Sequence, residues 1–163
     1  MKPISLATLQ YTRWGFDLDG VLAVKPPPYD IPWMRMNGPE RQAARSATLA
    51  WYAGAEALGQ PDVRPTIILS ARKATPDVSA CTLAWLEGND LGDVPLYLLS
   101  TGRTIRNVAA FKVGVLRDCE IDAFVEDNRA VLKAMAALLP EATLFFWDKD
   151  SPATPELFYS PLL

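Results

Sequence analysis

From residue 13 to residue 147 one pattern recurs: a short apolar run, a polar break, then a helix-prone stretch. The apolar runs cover 13–18, 66–69, 94–99, 121–125 and 143–147. Thr66-Ile67-Ile68-Leu69 has no polar side, which suits a strand buried on both faces, as in parallel sheets. Helix-prone stretches cover 39–58, 75–87, 104–117 and 129–139. Pro39 opens the first and Gly59 stops it; Thr75 caps the second, with Pro76 at its first position; Pro140 stops the fourth. The alternation predicts an α/β fold: a Rossmann-like open parallel five-stranded sheet with helices on both faces. Residues 21–63 break the pattern with Pro26-Pro27-Pro28, Pro32 and Pro39. They are expected to form a small helical cap insertion after strand one, within a single domain spanning 1–163. The proline-rich tail from Asp148 is expected to pack irregularly.

In sheets of this kind the site lies beyond the carboxyl ends of the strands. The polar residues of this chain collect there. Strand one ends in Asp17 and Asp19, strand two in Ser70, strand three in Ser100 and Thr101, strand four in Glu126 and Asp127. At strand period Asp17 and Asp19 point to one side. Two adjacent carboxylates repel unless a cation or donors stand close by, which points to a metal ion. The plain alternative is an acidic turn in which Gly20 supplies a positive φ. Core packing does not explain four buried strands that all end in acidic or hydroxyl groups.

The composition narrows the chemistry. The chain has 163 residues, half of them apolar, and a net charge of −3, so it is not an electrostatic nucleic-acid binder as a whole. No apolar run reaches membrane-spanning length, and no apolar leader follows Lys2. Cys81 and Cys119 fit reduced, buried thiols, so a cytoplasmic location is expected. There is no histidine. Ser-His-Asp and Cys-His catalysis and histidine metal sites are thereby excluded. Catalysis must rely on carboxylates, hydroxyls, lysine, arginine or an oxygen-bound metal.

Four segments together resemble the haloacid dehalogenase-like superfamily of phosphohydrolases. Phe16-Asp17-Leu18-Asp19-Gly20-Val21 matches its D-x-D-G-[TV] motif, and Ile67-Ile68-Leu69-Ser70 its strand ending in Ser or Thr. Lys112 stands where the family has a lysine before strand four, and Ala123-Phe124-Val125-Glu126-Asp127 matches the strand ending in acidic residues. Glu126 departs from the commoner Asp-Asp or Gly-Asp, so Asp127 is the better ligand of the two and the role of Glu126 is open. The resemblance implies Mg²⁺, held by Asp17, the backbone carbonyl of Asp19 and Asp127. It implies that Asp17 attacks phosphorus to give an aspartyl-phosphate, and that Asp19 serves as general acid and then base. Ser70 would donate to a phosphoryl oxygen and Lys112 would offset charge in the transition state. Plainer roles exist: Ser70 as a turn cap, Lys112 as a solvated helix residue replaced by Arg103 or Arg106, Asp127 as a helix cap.

For the substrate, Ser70-Ala71-Arg72 is similar to the Ser-Gly-Arg of the phosphatase domain in phage-type polynucleotide kinase/3′-phosphatases. Trp85-Leu86-Glu87, Val94-Pro95-Leu96 and the arginine-rich loop before Lys112 follow the same group. The resemblance implies a phosphate monoester on a nucleotide or a nucleic-acid 3′ end. Arg72, Arg103 and Arg106, with Lys73, are expected along one rim as substrate-binding cations. Trp33 in the insert is a candidate contact for a base. No Gly-rich P-loop is present, so no kinase half is expected. The alternatives are a small-molecule (sugar or metabolite) phosphatase and a non-catalytic binding module on the same fold.

Overall fold

The structure is a computed structural model that describes residues 6–27, 35–58, 62–148 and 155–162. Six strands form one sheet: β1 (Trp14–Asp17), β2 (Ile67–Lys73), β3 (Leu96–Leu99), β4 (Ala123–Glu126), β5 (Thr143–Phe146) and β6 (Glu156–Tyr159). Their order is β3-β2-β1-β4-β5-β6. The first five are parallel, which is the Rossmann-like arrangement. The sixth runs antiparallel to β5, so the sheet is neither five-stranded nor wholly parallel. The tail expected to be irregular thus contributes an edge strand. Its four residues are too short a run, and too close to prolines, to stand out.

Four helices flank the sheet: α1 (Gly38–Gly54), α2 (Pro76–Gly88), α3 (Ile105–Asp118) and α4 (Arg129–Ala136). Two separate cores show that they lie on both faces. Phe16, Ile68 and Val125 point into one core with Trp85 and Leu86 of α2. Leu69, Phe124 and Leu144 point into the other with Val113 of α3 and Leu132 of α4. Alternation along each buried strand sends neighbouring residues to opposite cores, which is why the sequence runs read as apolar throughout. Three of these helices have a side-chain N-cap. Asn37 and Glu40 form a capping box on α1, and Thr104 and Asn128 accept from the first turns of α3 and α4. Thr75 precedes α2 without capping it: its hydroxyl donates to the Asp77 carboxylate (2.6 Å).

The chain runs outward from β1 through β2 to β3, then returns to the other side of β1 as β4. The loops after β1 and β4 therefore diverge and leave a crevice at the switch point. Register keeps the strands level there, with Phe16 opposite both Ile68 and Val125. The insertion leaves through a tight turn in which the Leu18 carbonyl accepts from Leu22 and Ala23 (both 2.9 Å). Its two stems then pair, Val24 N to Glu56 O and Leu58 N to Leu22 O (both 2.9 Å). The α1 helix packs against α2. Trp33 and Gly59 lie outside the described residues. Among the described residues no helix is long and apolar enough to cross a membrane.

Candidate active site

Asp17 is the last residue of β1 and is buried. It meets Lys112, whose position on α3 turns it inward: the Lys112 side chain is only 2% exposed. Lys112 Nζ donates to Asp17 Oδ1 (2.7 Å) and to Glu126 Oε2 (2.5 Å). The cation on Asp17 is therefore Lys112, and neither Arg103 nor Arg106. Glu126, at the end of β4, uses its other oxygen to accept from Asn128 N (3.0 Å). Carboxylate oxygens of Asp17, Glu126 and Asp127 lie within 4.8 Å of one another, so Glu126 joins the acidic cluster that the sequence left open to it.

Burial and mutual repulsion set the charge state of this cluster. Burial, then repulsion from Glu126, pushes the Asp17 carboxyl up to about 7, against the pull of Lys112. Burial likewise raises Glu126, although Lys112 opposes it. Asp127 is raised by burial and by Asp17, with Lys25 opposing. Burial works to lower Lys112, but the carboxylates of Asp17 and Glu126 outweigh it and hold the ammonium above its ordinary value.

Asp127 Oδ2 accepts from Lys25 Nζ (2.5 Å), while its buried Oδ1 has no hydrogen-bond partner among the described residues. An orphaned buried carboxylate oxygen is costly unless something positive reaches it. Three clustered carboxylates with such an oxygen fit a hard divalent cation such as Mg²⁺. Asp17, Asp127 and Glu126 are the side chains that would hold it. The Asp19 carboxylate is outside this cluster, so only its backbone carbonyl remains for the role expected from the sequence. Gly20 makes the approach possible. Its φ is +93°, and a Cβ there would stand 2.1 Å from Asp127 Oδ2.

Asp19 is held in a different way. The two aspartates do not share one environment, because β1 ends at Asp17 and Asp19 lies in the turn beyond. Arg72 donates to both its oxygens, Nε to Oδ2 (2.9 Å) and Nη2 to Oδ1 (2.7 Å). The guanidinium also donates to Thr82 Oγ1 of α2 (3.0 Å) and lies 3.7 Å over the Tyr52 ring of α1. Arg72 is 0% exposed, so the expected rim cation is instead a buried clamp with every nitrogen engaged. The expected end of strand two is Ser70, but β2 continues to Lys73 and carries Arg72 inward. Ser70 is buried beside it and its Oγ accepts from Arg72 N (3.1 Å).

Searches find no matching family model and no matching curated protein. The strand order and the acidic cluster are consistent with a haloacid dehalogenase-like hydrolase scaffold and with metal binding. Arg103 and Arg106 are exposed beyond β3, as is Lys73 at the end of β2. Both cysteines are free and half-buried, where burial was expected. Sequence reasoning missed Lys25, Tyr52 and Thr82. Lys25 sits in no motif, although its place just past the D-x-D-G turn brings it back over the strand ends. Tyr52 and Thr82 carry no signal at all, being residues of two helices that meet only in the fold.

Proposed function

We propose that this chain is a Mg²⁺-dependent phosphomonoesterase of the haloacid dehalogenase type, acting on a nucleotide or on the 3′-phosphate of a nucleic-acid end. The observation that carries the reading is that two neighbouring aspartates have different partners. Asp17 lies in the acidic cluster beside Lys112, whereas Asp19 is oriented by a two-pronged arginine.

Asp17 is the nucleophile. It attacks phosphorus, the bond to the leaving oxygen breaks, and an aspartyl-phosphate forms on the side chain. Asp19 protonates the leaving alcohol, then takes a proton from the water that hydrolyses the intermediate. The Arg72 fork fixes the plane of its carboxylate, yet each oxygen keeps a second lone pair for the proton. Lys112 neutralises part of the negative charge gathered around Asp17 and the phosphoryl group. Ser70 orders the backbone at Arg72 and turns its hydroxyl to a phosphoryl oxygen. Bound Mg²⁺ would supply Lewis-acid stabilisation of the phosphoryl oxygens.

A polyanionic substrate is supported by three exposed cations at the end of β2 and beyond β3. Lys73, Arg103 and Arg106 are exposed and none makes an ion pair among the described residues. Arg106 stands in the first turn of α3, where no acidic residue offsets the positive end of the helix dipole. A cation there is unfavourable for the helix alone and favourable once a phosphate arrives. The test uses p-nitrophenyl phosphate, mononucleotides, sugar phosphates and 3′-phosphorylated oligonucleotides with Mg²⁺. Asp17→Asn should abolish turnover on all of them; phosphate release that survives it removes Asp17 as nucleophile. The pair Arg103→Ala and Arg106→Ala should raise KM for the oligonucleotide and flatten its salt dependence, with p-nitrophenyl phosphate little changed. Turnover confined to sugar phosphates would instead favour a metabolite phosphatase.

A further inference from the structure

Among the described residues two lysines reach the acidic cluster, and they are built differently. Lys112 is sealed in the core with its side chain 2% exposed, while Lys25 lies at the surface with 48% of its side chain exposed. Lys25 nevertheless ends 2.5 Å from Asp127 Oδ2. Its backbone is anchored, because the preceding residue, Val24, donates to Glu56 O (2.9 Å) and accepts from Trp51 Nε1 (3.1 Å). The Lys25 side chain reaches solvent beyond that anchor. The space it occupies is provided by Gly20: a Cβ there would come 2.6 Å from Lys25 Cε as well as colliding with Asp127. Beside it opens a cleft of about 340 Å³ lined by Lys25, Asp127, Gly20, Leu58 and Trp147.

Charge explains why a lysine should stand there. Asp17, Asp19 and Glu126 are buried and Asp127 is half-buried, and among the described residues Lys112 and Arg72 are the two cations buried beside them. Lys25 is the third cation, and it occupies one oxygen of the residue whose other oxygen is orphaned. A divalent ion held by Asp17 and Asp127 would supply two charges where Lys25 supplies one, and an ion at the orphaned Oδ1 would repel the ammonium on Oδ2 of the same carboxylate.

We propose that Lys25 is a tethered counter-ion that occupies Asp127 until a divalent cation displaces it, and that the released ammonium then binds the substrate phosphate at the mouth of the cleft. The hand-over to phosphate rests on the phosphatase reading; the competition with metal does not. Divalent binding frees the lysine, and the incoming phosphate dianion recaptures it. Lys25 is thus a binding residue of the loaded site and a placeholder in the metal-free one.

The two halves predict changes of opposite sign in a single variant. Mg²⁺ affinity would be measured by calorimetry, and inorganic phosphate affinity by the same method at saturating Mg²⁺, for the wild type, Lys25→Met and Lys25→Arg. Lys25→Met removes an exposed pair and keeps the aliphatic stem, so it should bind Mg²⁺ about fivefold more tightly. It should bind phosphate several-fold more weakly, whereas Lys25→Arg, which keeps the charge, should stay near the wild type in both. A Lys25→Met protein with unchanged or weakened Mg²⁺ affinity overturns the competition. Unchanged phosphate affinity in that protein overturns the hand-over. Wild-type protein that takes up Mg²⁺ without hydrolysing any phosphate ester would remove the phosphatase reading, yet the Mg²⁺ comparison would still decide on Lys25. A wild type that binds no Mg²⁺ overturns the proposal outright.

Discussion

Arg72 shows how far a single residue can depart from what its neighbours in the sequence suggest. A Ser-Ala-Arg-Lys run after an apolar strand reads as a basic loop, and for Lys73 that placement on the surface holds. Arg72 is carried the other way by one more step of strand alternation. Its charge is bearable only because Asp19, Thr82 and the Tyr52 ring surround it. Arg72→Ala would leave the buried Asp19 carboxylate without its partner and should cost about 3–5 kcal/mol, read from the urea midpoint. Arg72→Lys keeps the charge but cannot make the fork. It should fold, and should lower kcat with little change in KM, as expected of a residue that orients another. Asp17, Asp19, Lys112 and Asp127 were legible in the sequence because each sits at a strand end or at a fixed motif position. The partners of Asp19 were not, since they come from helices separated from it by dozens of residues.

At the level of elements, the five parallel strands and four helices follow from apolar runs, caps and breakers, and their order follows from the alternation. The sixth strand did not, because strand pairing is set by an exposed partner edge on β5 more than by its own four residues. The element that matters most to the site is the shortest helix. The α4 helix has eight residues and begins two positions after Asp127. Asn128 holds its start, accepting from Ala130 N (3.0 Å) and Val131 N (3.3 Å), while its own amide donates to Glu126 (3.0 Å). One residue thus ties the helix to the acidic cluster. Asn128→Ala should destabilise the protein by about 1 kcal/mol, as loss of an N-cap does. It should also weaken Mg²⁺ binding, measured by calorimetry, through the loosened turn that carries Asp127. Another cap serves as the control: Thr104→Ala on α3 should cost similar stability with Mg²⁺ affinity unchanged.

For the whole molecule, the crowding of carboxylates makes stability depend on both pH and metal. Burial lifts Asp17 from 3.8 to about 7, and Glu126 and Asp127 move in the same direction. A carboxyl that holds its proton more tightly when folded stabilises the fold fully below its unfolded value. That contribution is lost as pH rises through the folded value. With a chelator present, Tm should therefore fall as pH rises from about 4 to 7. The proposed Mg²⁺ site requires the ionised cluster, so the Tm gain on adding Mg²⁺ should be larger at pH 7.5 than at pH 5. Equal gains at both would separate the metal from this cluster.

The two aspartates after β1 are answered from opposite sides of the sheet, Asp17 by a lysine of α3 and Asp19 by an arginine locked against α1 and α2. The acidic loop is in effect a rivet driven through both helix layers. If either layer lifts, one carboxylate is stranded without its cation and the proposed reacting geometry is gone. A partly opened form that keeps one core and loses the other therefore has no reduced version of the chemistry to fall back on. Loss of the proposed phosphatase activity would be an alarm for the first layer to detach, whichever it is.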